Sequence, residues 1–174
     1  MPIRAVWIGL EAPTAEDCEI SITDRGVEVR STFSGDAVDG AYRLQASSTW
    51  EFESLSVTAN GRHLQVRRAG NLWLVDDTAR PDLHEAREVD LSVSPLTNSL
   101  PIRRLGLQVG QSADILAAYI RVPELDVMPS PQRYTRTGAC EYLYESRSSD
   151  FRRTITVDRN GLVTDYPGLF TREN

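Results

Sequence analysis

The sequence contains no lysine; all 19 of its basic residues are arginine. That absence removes several chemistries at once. No Schiff-base or pyridoxal-phosphate lysine, no P-loop lysine and no Ser-Lys dyad can be built. Arginine does not substitute, because its guanidinium stays protonated. Histidine is nearly as scarce, with only His63 and His84. A zinc site takes three or four ligands, and two distant histidines with two distant cysteines, Cys18 and Cys140, do not supply them. His84-Glu85 starts like a zinc-protease motif, but Glu88 stands where the second histidine belongs. No Gly-x-Ser-x-Gly elbow and no glycine-rich phosphate loop is present. The expectation is therefore no metal and no cofactor. No apolar run approaches the ~18 residues of a membrane span. Met1–Trp7 is too short and interrupted for a secretory signal, so a cytoplasmic chain with two buried free thiols is expected. The net charge of −6 argues against a nucleic-acid partner, which needs a basic stripe.

What is present is alternation. The 174 residues suit one domain spanning 1–174, burying roughly 70% of the unfolded chain's surface. Arg62–Arg68, Glu88–Val93 and Phe151–Val157 place apolar residues at every second position, the period of half-buried strands. Val89, Leu91 and Val93 share one face, and Glu88, Asp90 and Ser92 the other. Further strands are expected at Ile3–Gly9, Glu19–Thr23, Gly26–Phe33, Ala41–Ala46, Trp50–Thr58, Leu72–Val75, Ala139–Glu145 and Leu162–Asp165. Asn60-Gly61 and Asn160-Gly161 read as hairpin turns. Gln111–Val122 fits a helix or a strand, and the following Pro123 favours a strand through Ala118–Val122. Three prolines limit Pro123–Pro131 to a short extended piece. The fold class expected is all-β and mainly antiparallel: a barrel-like or strongly curved sheet with short helical or irregular pieces.

The candidate functional residues are aromatic, carboxylate and arginine. Trp7, Trp50 and Trp73 each fall in a strand, and Tyr142 and Tyr144 share a strand face. Such rings form core or line an apolar cavity. The most distinctive stretch runs from Val89 to Leu105. Its loop carries Thr97 and Asn98, suited to bonding the loop's own backbone, and ends in Arg103-Arg104. Read as extended, that pair points to opposite faces. An inward arginine needs a carboxylate or an anionic ligand, and Asp90 is the nearest partner in sequence. Two roles stay open for the pair: a brace within the loop, or a receptor for a polar head group.

The same stretch, Val89-Asp90-Leu91 followed by Ser94-Pro95-x-Thr97-Asn98-x-Leu100-Pro101-Ile102-Arg103-Arg104-Leu105, resembles a bacterial family named for glycolipid binding and long catalogued as a domain of unknown function. Gln132-Arg133-Tyr134 and Val157-Asp158-x-x-Gly161-Leu162-Val163-x-Asp165-Tyr166-Pro167-Gly168-Leu169-Phe170 extend the resemblance, as do Trp7, Tyr42-Arg43-Leu44, Trp50 and Trp73. The approach to the first motif departs from the pattern: Glu85-Ala86-Arg87-Glu88 stands where members often carry Gly-Cys-x-Asp, which leaves no cysteine-dependent role there. The resemblance implies a β-barrel-like antiparallel fold, compared in shape with bacterial carriers of lipidated proteins, and lipid or glycolipid binding. The expected function is thus non-catalytic binding or carriage of a lipid or glycolipid in an apolar β-lined cavity. The expected ligand contacts are Trp7, Trp50, Trp73, Asp90, Asn98, Arg103, Arg104, Tyr134 and Tyr166. Two other readings stand beside it. One is a hydrolase acting on a lipid or sugar, using Asp90 with Asp165 or Glu88. The other is a structural or protein-interaction module.

Overall fold

In the computed structural model, which describes residues 1–173, the alternating segments form fifteen strands. The first eight are β1 (Ile3–Gly9), β2 (Thr14–Thr23), β3 (Gly26–Gly35), β4 (Asp39–Ala46), β5 (Phe52–Ala59), β6 (Arg62–Ala69), β7 (Leu72–Val75) and β8 (Thr78–Ala79). The other seven are β9 (Glu88–Leu91), β10 (Ser112–Ile120), β11 (Val127–Gly138), β12 (Glu141–Ser146), β13 (Arg152–Val157), β14 (Val163–Tyr166) and β15 (Phe170–Arg172). All belong to one sheet of order β8-β7-β6-β5-β4-β3-β2-β1-β15-β14-β13-β12-β11-β10-β9. The strand at each end of the chain joins the two halves, with Trp7 opposite Arg172. Every pairing is antiparallel except β9 with β10, which is parallel.

The all-β, mainly antiparallel expectation holds, but the barrel-like or strongly curved sheet does not. The sheet is open, with β8 and β9 as its two edges. Closure would require those strands to pair, and β8 is only two residues long. After β8 the chain leaves the ladder through a short 3-10 turn at Pro81–Leu83. It packs on the first half instead: Trp73 Nε1 donates to Ala86 O at 3.2 Å and the Phe52 amide to Arg87 O at 3.3 Å.

Local chemistry accounts for the turns and for two further differences. Asn60 and Gly61 have φ of 48° and 78°, the pair of positive angles that a two-residue hairpin needs. β10 starts six residues earlier than Ala118, and β11 runs through Pro129 and Pro131. Those prolines pair with β10 only, because the β12 ladder starts at Gln132. A missing N–H on the unpaired side breaks no ladder bond. Pro95–Asn98 is a 3-10 turn, and α1 (Ser99–Leu105) follows it, ending at Gly106 with φ 54°. Arg103 and Arg104 therefore stand on a helix, not on an extended piece. Cys18 is buried but Cys140 is exposed, so only one thiol matches its expected place.

Burial falls into two clusters. The first gathers Trp7, Phe52, Leu55, Val66 and Trp73 from β1–β7 with Leu83, Leu96 and Leu100 from the later crossing segment. The second gathers Tyr134, Tyr142, Tyr144, Ile155 and Tyr166 around Ile102 and Leu107. β9 lies between them. Its Val89 and Leu91 join the first cluster, so alternation turns Glu88 and Asp90 to the opposite face.

Candidate functional site

A cavity of about 530 Å³ opens where the two halves meet. One wall is β9 and the following loop, with Asp90, Ser92, Ser94 and Asn98. Tyr119 stands beside Asp90 as its register partner on β10, and Tyr144, Phe151, Tyr166 and Phe170 supply the other rings of the lining. The β1–β2 turn supplies the rim, with the exposed Glu11 and Ala12. That turn is tied across the junction by the Leu10 amide, which donates to Leu169 O at 2.8 Å.

The aromatic wall follows from register. Tyr144 pairs across β11–β12 with Tyr134, and paired residues share a sheet face. Tyr144 then meets Tyr134, Phe151 and Tyr166 with centroids 5.4, 6.0 and 6.2 Å apart and planes 61–75° apart. Such edge-on arrangements satisfy the ring quadrupoles.

Asp90 is the one charged group deep in this cavity. Gln132 Nε2 donates to its Oδ2 at 2.7 Å. Surrounding protein pushes its carboxyl up to about 6, opposed by the Gln132 bond. The same enclosed charge, behind burial itself, raises the phenols of Tyr119, Tyr134, Tyr144 and Tyr166. Among the described lining residues only Asp90 and Glu11 carry charge, and none is basic.

A second carboxyl lies behind the wall. Glu16 points inward from β2, and its Oε1 accepts from Ser31 Oγ, Tyr42 OH and Ser94 Oγ at 2.7, 2.7 and 2.8 Å. Its Oε2 is buried with no partner. Burial lifts this carboxyl to about 7 against those three bonds. Ser94 belongs to both settings, since it also lines the cavity. Nothing in the sequence marked Glu16, which lies ahead of the strand expected at Glu19–Thr23; β2 begins earlier, at Thr14. The partners of Glu16 come from β3, β4 and the loop after β9, so only the assembled sheet collects them.

The nine residues expected at a site divide in two. Asp90, Asn98 and Tyr166 line the cavity. Tyr134 stands directly behind, accepting from Asn98 Nδ2 at 2.9 Å. The three tryptophans lie outside the lining. Trp7 donates to Val163 O at 2.9 Å, and Trp73 stacks on Phe52 with centroids 5.2 Å apart. Trp50, held at φ 66°, lies under the Arg103 guanidinium at 5.1 Å. Arg103 also presses on Gly161, where a Cβ would come within 2.5 Å of its Cδ. That contact ties the first long motif to the last. Arg104 pairs with Glu88, not with Asp90. Thr97 does bond its own loop, donating to Ser94 O and accepting from the Leu91 amide, both at 3.1 Å.

The paired-carboxylate arrangement does not assemble around Asp90. Glu88 is held by Arg104, and Asp165 neighbours Tyr166 on the alternate face of β14.

Residues 4–172 match the family described as "Putative glycolipid-binding". The chain belongs to that family. A crystal structure of a DUF1089 family protein from Pseudomonas aeruginosa is similar throughout, with 34% identity and a TM-score of 0.78. The similarity covers 91% of this chain and 92% of that one. No curated protein matches. The two long motifs of the glycolipid-binding family thus meet beside the cavity: Asp90 and Asn98 come from the first, Tyr166 and Phe170 from the last. No helix among the described residues is long and apolar enough to cross a membrane.

Proposed function

We propose that this protein binds a lipid or glycolipid without covalent chemistry, in the cavity between its two halves. The observation that carries the reading is an aromatic wall facing a single enclosed carboxylate within about 530 Å³. That volume falls inside the range of roughly 300–1,000 Å³ typical of small-molecule sites. Apolar parts of the ligand lie against Phe151, Tyr166 and Phe170, releasing water at about 25 cal/mol per Å² of apolar surface covered. Polar parts reach Asp90, Asn98 and the serines of the loop. This placement assigns the head group to Asp90 rather than to Arg103 or Arg104, whose partners are Trp50 and Glu88.

The test is mass spectrometry of protein purified without detergent, before and after organic extraction. A stoichiometric amphiphile that rebinds the extracted protein is the expected result. Extracted protein that binds no member of a lipid and glycolipid panel would remove the proposal.

A further inference from the structure

Resting on that reading, we infer that the cavity selects its ligand by charge: it takes an amphiphile with an uncharged, hydroxyl-bearing head group and rejects anionic ones, with Asp90 as the specificity-determining residue. Three observations carry this. First, the lining has no cation, while Asp90 faces the cavity and Glu11 stands at its rim. A carboxylate or phosphate head would lie near an enclosed negative charge with no cation in the lining to offset it, and low-dielectric surroundings magnify that repulsion. Arg153 lies behind the wall, over Phe151 at 4.7 Å, and its guanidinium is given to Pro167 O and Arg152 O; Arg104 is engaged by Glu88 and Arg103 on Trp50.

Second, Asp90 has acceptor capacity left. Gln132 occupies Oδ2, while Oδ1 accepts no protein hydrogen bond and stays open rather than sealed in the interior. An ionised carboxylate accepts but does not donate, so it recognises a group that donates. A ligand hydroxyl meets that need. Third, the rest of the polar lining is hydroxyl and amide: Ser92, Ser94, Ser130, Ser146 and Asn98. These groups both give and accept hydrogen bonds, as sugar hydroxyls do. Ser92, Ser130 and Ser146 already accept from Val122 N, Gln132 Nε2 and Ser148 N, which leaves each a hydroxyl proton to give; a quaternary ammonium would suit the carboxylate and the rings but offers no acceptor for those protons. The chemistry on both walls is therefore that of a sugar or polyol head carried on an apolar chain.

Four probes of equal chain length test this by calorimetric titration below their micelle concentrations at pH 8: octyl β-glucoside, octanoate, octyl sulfate and octyltrimethylammonium. The expected ranking places the glucoside at least tenfold tighter than either anion and tighter than the ammonium. Asp90→Asn removes the charge and replaces one of the two acceptor oxygens with a donor; with the remaining oxygen held by Gln132, it should weaken the glucoside by about tenfold, the effect of losing one charged hydrogen bond. The same change should bring octanoate up to the glucoside's level. Equal binding of glucoside and octanoate by the unaltered protein would overturn the inference while leaving the cavity as a binding site, and so would an ammonium probe that binds tightest. Failure of all four together with a native lipid panel would strike the site itself. The unaltered protein's ranking decides the matter even if the variant does not fold.

Discussion

The two halves of the sheet are built alike and filled differently. In β1–β8, inward positions carry mostly tryptophan, phenylalanine and aliphatic chains around one polar cluster of Glu16, Ser31 and Tyr42, and the three rings Trp7, Phe52 and Trp73 are fully buried. In β9–β15, the inward face carries tyrosines whose hydroxyls need partners, and it borders the cavity. A tryptophan core leaves no room for a ligand, whereas a tyrosine wall beside serines and a carboxylate does. The contrast assigns the first half to stability and the second to recognition.

The largest effect should come from the first half. Trp73→Ala removes a fully buried ring and its stack on Phe52. We expect it to lower unfolding free energy by about 3–5 kcal/mol, read by urea denaturation. A loss below about 1 kcal/mol would erase the distinction between the halves. Next comes Arg104→Ala. It leaves the buried Glu88, already raised by burial against the pull of Arg104, without its counter-ion. A loss of about 3 kcal/mol is expected at pH 8, shrinking toward acid pH as Glu88 takes up a proton. A loss independent of pH would show that the pair contributes by packing alone.

Ionisation of the two enclosed acids supplies the third prediction. Glu16 sits near 7 and Asp90 near 6, both raised from their ordinary values by burial. Folding therefore favours their protonated forms. Stability should be fullest below about pH 4 for these groups and fall as pH rises through 6 and 7. For Glu16 alone the fall is on the order of 3 kcal/mol. Glu16→Gln should flatten the profile between pH 5 and 8, and an unchanged slope would count against the assignment. A smaller effect attends Arg103→Ala. Losing the stack on Trp50 should lower stability by about 1 kcal/mol and leave ligand affinity unchanged. A selective loss of affinity would return Arg103 to the site. Smallest is Tyr166→Phe, which keeps the ring and should shift stability by under about 1 kcal/mol.

Much of the ladder was legible because alternation is a local signal. Ile3–Gly9 and Leu72–Val75 have the expected bounds, and Asn60-Gly61 makes the expected hairpin. What escaped was information carried by non-neighbours. Whether a meander closes depends on its two edge strands, and β8 and β9 are neighbours in sequence yet opposite edges of the sheet. The helix over Ser99–Leu105 was hidden by Pro101, which sits within its first turn, where a proline's missing N–H breaks no helical bond. At the site, Asp90, Asn98 and Tyr166 were visible within long motifs, and all three line the cavity. The partners were not visible. Proximity in sequence suggested Arg103 or Arg104 for Asp90, but β11 brings Gln132 to it from 42 residues away. The tryptophans stood out by rarity, a property that says nothing about whether a ring faces a cavity or a core.

A ligand held in the junction cavity should be lost when that cavity is filled. Ser146→Trp places a ring in the cavity from β12 without altering a residue of either long motif. Native mass spectrometry of the variant and the unaltered protein, matched in melting temperature and purified side by side, measures the bound amphiphile. A stoichiometric adduct is expected on the unaltered protein and none on the variant. Equal adduct on both would contradict binding in the cavity.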